Sequence, residues 1–446
     1  MAREPAAPSV WARFPAIFLS RSKQSSKYAA ERSREVVMDE QQNSVSRRTL
    51  LATGAVGGLL APRNLLAAPE DIENVKQDVY RQLGIKPIIN AAGTITTLGG
   101  SLMPPEVLAA WSAAATSFVN LPELQDRIGE QIAEMLGVEA ALVTTGAAGG
   151  IVLGTAAALT YRDHGLVSRL PFPAQPRVEV IRQKSHHECY DNQVIACGAR
   201  LVDVESRQDF EQAINERTAM MFAYNVHEGD STIPQKEWVE AARKHSIPTL
   251  LDAAADTPPL DALSRYNQMG YDMVVFSGGK ALRGPQDAGL LLGRKDLIAA
   301  AKLNAAPRCG NIGRGMKVSK EDMVAMWAAV RRYVNLDHAA EEQQWQQRID
   351  VIVESVADLP SVTTRRVVPP IANHVPHLLI FWDESRLRIA RSELKQKLAA
   401  GEPSIATARV HGTGDEGFLI SVFMLEPGED QVVGQRLRQI LEQSDR

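Results

Sequence analysis

Asp252 ends the apolar run IPTLLD, and Lys280 follows the apolar run DMVVFSG, with glycines before it and the turn Gly284-Pro285-Gln286 after it. A lysine that merely solvates a surface needs no such punctuation, so the pattern points to an amine held still. Between the two runs, Leu260 to Met269 has helical spacing. A right-handed crossover of that length joins neighbouring or near-neighbouring parallel strands. It brings the carboxylate and the amine out at the carboxyl edge of one sheet, where open α/β sheets bind their ligands. A carboxylate and a lysine so placed are what a pyridoxal phosphate site requires. The amine condenses with the cofactor aldehyde, and the aspartate keeps the pyridine nitrogen protonated so that the ring accepts electrons.

A phosphate-bearing cofactor also needs a cradle. Thr144-Thr145-Gly146-Ala147-Ala148-Gly149-Gly150 stands between a strand-like run and an alanine-rich helical one. Its small residues let the backbone approach a phosphate, and the first N–H groups of the helix point at it. Ser277 offers a hydroxyl toward the same anion. In KSHHECYD, Lys184 to Asp191, an imidazole following a strand could stack on the pyridine ring. The adjacent histidines could equally bind a metal, but no third ligand has suitable spacing, and no metal is expected. Cys189, Cys197 and Cys309 are too few and too scattered for a disulfide framework or a metal cluster, and are expected to be small buried residues.

The elements that would position these residues can be read from the pattern. From Leu83 onward short apolar runs alternate with longer helical segments, as in a mostly parallel sheet covered on both faces. Strands are expected near 139–145, 177–183, 199–204, 218–224, 248–252, 272–277 and 288–293, with helical spacing also over Lys236 to His245. This is a doubly wound α/β domain with a seven-stranded sheet. Beyond Lys317 one long helix-like run, Lys320 to Val353, leads to the strand-like LLIFWD and FLISVFML and to a final helix from Asp430, a smaller α+β domain. The expected division is a leader over 1–75, a large domain over 76–316 and a small C-terminal domain over 317–446.

The chain has 446 residues, 45% hydrophobic and 23% charged, enough for a large buried core in two or three compact units. A net charge of −4 leaves no electrostatic footprint for nucleic acid or an anionic membrane. Ser46-Arg47-Arg48-Thr49-Leu50-Leu51 begins an apolar run, TLLATGAVGGLLAP, shorter than the roughly 20 residues of a membrane span. It fits a twin-arginine export signal, with translation starting at Met38 and cleavage near Ala67 or Ala68. That predicts a periplasmic protein that folds around its cofactor before export, with a cytoplasmic location as the alternative.

IINAAGTITTLGGSLMPPEV, ELQDRIGEQIAEMLGVEAALVTTGAAGG, KSHHECYD, LLDAAAD, FSGGKALRGPQDAGLLLGR and NIGRGMKVSKE together resemble the selenocysteine synthase-like family of fold-type I pyridoxal phosphate enzymes. They are most similar to its D-glucosaminate-6-phosphate ammonia-lyase branch. The resemblance runs from about Leu83 to the C-terminus. It implies that Lys280 binds the cofactor aldehyde, Asp252 partners the pyridinium and His186 stacks on the ring. By the same resemblance Gly146, Ala147 and Ser277 contact the phosphate, and Gln286 joins the cofactor contacts. Asn90, Thr94 and Arg314 fall in motifs that face the substrate. The family often has arginine after the stacking histidine, where this chain has His187. The resemblance also implies at least a homodimer, with the Gly284-Pro285-Gln286 turn a candidate for reaching the neighbouring subunit.

The expected activity is β-elimination with ammonia release from a small 2-amino-3-hydroxy acid, sugar-derived in one version. One alternative is selenium transfer to seryl-tRNA. Against it, the chain has an apparent export signal where the true selenocysteine synthases carry a tRNA-binding region, and no basic stripe to grip tRNA. The other alternative is a non-catalytic relative that keeps the fold.

Overall fold

The computed structural model describes residues 79–173, 177–410, 412–414 and 416–444. The leader, the Arg47-Arg48 signal, Met38 and the cleavage positions lie outside the described residues.

Seven strands form the main sheet: β2 (Ala140–Thr144), β3 (Glu179–Gln183), β4 (Arg200–Val204), β5 (Thr218–Tyr224), β6 (Thr249–Asp252), β7 (Met273–Ser277) and β8 (Gly289–Gly293). Their order is β2-β8-β7-β6-β5-β3-β4. All pairings from β7 across to β4 are parallel, whereas β8 runs antiparallel to both β7 and β2. Every residue of β3, β5 and β8 is buried, as in a sheet covered on both faces, including Glu179, Arg182 and Gln183 of β3. Helix Gly146–Thr160, buried along almost its whole length, packs on the sheet and on helix Lys295–Asn304. Its small residues permit the close approach: a Cβ at Gly150 would lie 2.7 Å from a Val275 methyl.

A second, three-stranded antiparallel sheet has the order β12-β10-β9, formed by β9 (Thr363–Val367), β10 (His377–Phe381) and β12 (Phe418–Ser421). Helices His338–Val356 and Glu429–Ser444 pack against each other beside it. The expected single helix over Lys320 to Val353 is two helices, Lys320–Val334 and His338–Val356. The break has local causes. Asn335 turns out of helical geometry at the end of the first, and the Asp337 side chain caps the second by accepting from Ala340 N–H at 3.0 Å.

The remaining pair is a two-stranded ribbon in which β1 (Ile88–Asn90) lies parallel to β11 (Ser404–Ala406). It ties an N-terminal arm to the C-terminal part of the chain. Ser421 N–H donates to Ala91 C=O at 3.0 Å, and Ala91 N–H to Ala406 C=O at 3.0 Å, which continues the tie. Among the described residues no helix is long and apolar enough to cross a membrane.

Candidate active site

Strands β6 and β7 are parallel neighbours, with Asp252 in register with Val275. Asp252 is the last residue of β6, and Lys280 follows the end of β7 by three residues, so both stand at the carboxyl edge of the sheet. The glycines around Lys280 are dictated by space. A Cβ at Gly278 would lie 2.7 Å from Ala288 C=O, and one at Gly279 would lie 2.5 Å from the Gln286 Cα. The backbone carrying Lys280 is thus folded against the 284–288 turn, with Gly284 N–H donating to Gly278 C=O at 2.8 Å.

Asp252 and Lys280 are both half-buried, and burial governs the charge state of each. Burial lifts the Asp252 carboxyl to about 6, opposed by the Ala254 N–H and by Lys280. Burial pulls Lys280 below the usual lysine range, opposed by Asp252 and Asp256. The second carboxylate went unread in the sequence, although LLDAAAD contains it. Asp256 is buried and raised by that burial, and accepts from Asn225 at 2.6 Å and Tyr266 OH at 2.8 Å.

The phosphate loop matches expectation in shape. Gly146 has φ +64° and opens the helix, and the Thr145 side chain makes no capping bond to the first turn. Gly289, paired with both Thr144 and Ser277, lies directly beneath: a Cβ there would be 2.4 Å from the Gly146 carbonyl carbon. Gly146, Ala147 and Ser277 therefore gather at one corner of the sheet edge. An uncapped helix start, a positive-φ glycine and a serine suit a phosphate.

His186 stands just past the end of β3, deep in the protein. The side chain is 1% exposed, with both nitrogens committed: Nδ1 accepts from Tyr224 N–H at 3.1 Å, and Nε2 lies 2.8 Å from Ser231 Oγ. Burial pushes it down to about 4, so the imidazole is neutral, with the proton on Nε2 by the donor at Nδ1. These bonds fix the 184–191 segment to β5 and set the orientation of the ring. His187 pairs with Asp191 at 2.6 Å, and Asp191 with the buried Arg182. The exposed aromatic of this segment is Tyr190, whose phenol is pushed up by burial and by the charges of Cys189, Asp252 and Glu188.

A cleft of about 340 Å³ opens over Lys280, lined on one side by the arm Ala92 to Thr97 and on the other by Asn373, His377, Arg409 and Ser421. Thr94 belongs to it, as expected. Asn90 acts one step back: its side chain accepts from Ala92 N–H at 3.0 Å and donates to Gly93 C=O at 2.9 Å, shaping the arm. Gln286 also braces the arm, donating to Thr96 C=O of its own chain at 2.7 Å. Arg314 is exposed on a loop and does not line the cleft. The cysteine expectation holds for Cys197 alone, since Cys189 and Cys309 are exposed in loops. Sequence reading missed the whole C-terminal wall, because nothing in its local pattern reports that β10 and β12 return to Lys280.

The L-seryl-tRNA selenium transferase family profile matches residues 88–342, more than half of the chain. The chain belongs to this family of pyridoxal phosphate enzymes. It is 31% identical over 376 residues to the D-glucosaminate-6-phosphate ammonia lyase of Salmonella typhimurium, covering 82% of this chain and 98% of that one. It is 30% identical over 341 residues to a 5'-C-glycyluridine monooxygenase-decarboxylase of a Streptomyces species, covering 73% and 83%. An L-seryl-tRNA(Sec) selenium transferase of Moorella thermoacetica is 28% identical over 61% of this chain and 60% of that one. Among solved structures, a D-glucosaminate-6-phosphate ammonia-lyase aligns with TM-score 0.72 at 28% identity, over 82% of this chain and 99% of that one. A serine palmitoyltransferase of S. paucimobilis, with TM-score 0.51 at 13% identity over 84% and 98%, shares the fold-type I architecture.

Proposed function

We propose that this chain is a pyridoxal phosphate-dependent lyase that releases ammonia from a small 2-amino-3-hydroxy acid. The observation that carries the reading is the meeting of Lys280 and Asp252 on adjacent strand ends beneath a cleft containing Arg409 and uncharged polar groups. The cofactor, when bound, supplies a ring that stores the charge left on the substrate α-carbon. Lys280 holds the cofactor aldehyde, and its burial favours the neutral amine that this bond needs. With a substrate in the cleft, Lys280 Nζ would take the α-proton and deliver it to the departing β-hydroxyl, which leaves as water. The released enamine hydrolyses to a 2-keto acid and ammonia. Asp252 holds the pyridine nitrogen in its protonated form. The start of helix Gly146–Thr160, with Ser277, would receive the phosphate, and His186 would cover the ring. Arg409 anchors the substrate carboxylate, for which the planar guanidinium is suited.

The relatives support lyase chemistry on an amino acid and leave the substrate to be found by assay. Purified holoenzyme incubated with 2-amino-3-hydroxy acids, phosphorylated and not, is expected to release ammonia and a 2-keto acid in equal amounts. Transfer of selenium to charged tRNA without lyase turnover, or carbon dioxide release in place of ammonia, would sink the reading. We also propose that the mature protein is exported by the twin-arginine route and assembles at least as a dimer.

A further inference from the structure

His377 and Ser421 stand opposite each other on the antiparallel pair β10 and β12. Directly opposed residues of such a pair share a face of the sheet, and both residues line the cleft that Lys280 lines. Both are deeply enclosed, at 1% and 0% exposure. Yet the hydroxyl of Ser421 has no hydrogen-bond partner, and the ring nitrogens of His377 have none of normal geometry, the Asn373 backbone being the one polar group near them. A buried polar atom without a partner costs about 1–3 kcal/mol. Folded chains rarely leave such atoms unpaired, and three on one wall of a cleft mark a place where something polar is received.

The chemistry of the wall restricts what that can be. Burial pushes His377 down to about 4, opposed by the Asn373 backbone, so at neutral pH the ring presents one donor and one acceptor without charge. Ser421 likewise presents a donor and an acceptor. An alcohol hydroxyl, which donates and accepts, satisfies this pair. An anion could use only the two donors and would leave the imidazole acceptor unpaired, whereas a hydroxyl uses both kinds of group. The arm passes close to this wall: a Cβ at Gly93, which has φ +89°, would lie 3.2 Å from Ser421 Oγ, so only a glycine leaves the hydroxyl uncrowded.

We propose that His377 and Ser421 form a specificity subsite that receives an uncharged hydroxyl on the substrate chain beyond the carbon that loses its leaving group. The subsite rests on the reading that the Lys280 cleft takes an amino acid, and a pair of amino acids without a β-hydroxyl tests it apart from lyase turnover. 2-Amino-4-hydroxybutanoate and 2-aminobutanoate differ by one terminal hydroxyl. Binding of each, in both enantiomers, is measured on the holoenzyme by calorimetry and by the change in cofactor absorption. The hydroxylated ligand is expected to bind about tenfold tighter or more, the equivalent of one satisfied buried hydrogen bond. His377→Phe is expected to bring the ratio near one while leaving 2-aminobutanoate binding within about threefold. His377→Gln, which keeps a donor and an acceptor, retains part of the preference. Ser421→Ala lowers the ratio without adding bulk, and serves if the phenylalanine variant does not fold. Equal binding of the two ligands by the wild type, or a ratio that survives both His377→Phe and Ser421→Ala, overturns the subsite. A holoenzyme that binds neither amino acid overturns the amino-acid reading and the subsite with it.

Discussion

Lys280 and Asp252 do opposite things under the same force. Burial drives both toward their neutral forms, lowering the lysine and lifting the aspartate to about 6 from an ordinary 3.8. For the aspartate this has a definite sign in stability. The folded value lies above the unfolded one, so the favourable contribution is present below about pH 4 and is lost as pH rises through about 6. Cofactor-free Asp252→Asn is therefore expected to melt higher than cofactor-free wild type at pH 7.5 and to converge with it below pH 4. Equal melting at pH 7.5 would show that Asp252 is not under this strain. Arg409 makes a second prediction at this scale. Arg409→Lys is expected to raise KM about tenfold or more with a smaller change in kcat, because an ammonium cannot reproduce a bidentate contact. An unchanged KM across the substrate panel would remove Arg409 from carboxylate binding. The lysine, its aspartate and the phosphate loop were legible in the sequence because each closes a strand or opens a helix. The orientation of KSHHECYD was not legible, because which of its side chains turns inward is decided by Tyr224 N–H and Ser231, remote in sequence.

At the scale of elements, the phosphate corner depends on β8 passing under the loop after β2. Gly289 has no tolerance there, since a Cβ would press on the Gly146 carbonyl carbon at 2.4 Å and its oxygen at 2.7 Å. Backbone atoms cannot rotate away as a flexible side chain can. Gly289→Ala is expected to weaken cofactor affinity about tenfold or more, read by equilibrium dialysis; retention equal to wild type would show that the corner yields without consequence. The seven main strands fall within two residues of their expected positions, because buried strands of a doubly covered sheet are short apolar runs bounded by polar turns. The antiparallel direction of β8 was not legible, nor was the pairing of β1 with β11. Direction and partner are set by connections across the fold, and three-residue strands carry no periodicity of their own. The split at Asn335 to Asp337 is the reverse case: an Asn and an Asp were in view, but helical spacing on both sides concealed the cap.

Across the whole molecule, the arm and the C-terminal sheet close over a site whose chemical groups sit on the main sheet. The C-terminal wall of the cleft comes from segments far in sequence from Lys280, which is why Asn373, His377, Arg409 and Ser421 escaped a motif-based reading. Assembly and export belong to this scale. Leu102, Leu108, Trp111, Phe118 and Val119 are exposed on or beside helix Pro105–Ala115. Light scattering is expected to find at least a dimer, and Phe118→Asp to weaken it; an active wild-type monomer would contradict the assembly. For export, changing Arg47 and Arg48 to lysine is expected to leave an uncleaved product in the cytoplasm, and equal retention of the unaltered chain would contradict the route. The central claim, that Lys280 is the residue that holds the cofactor, has a more direct test. Holoenzyme reduced with borohydride, digested and examined by mass spectrometry is expected to carry the cofactor on the peptide containing Lys280. Attachment to another lysine, or none at all, would contradict the account.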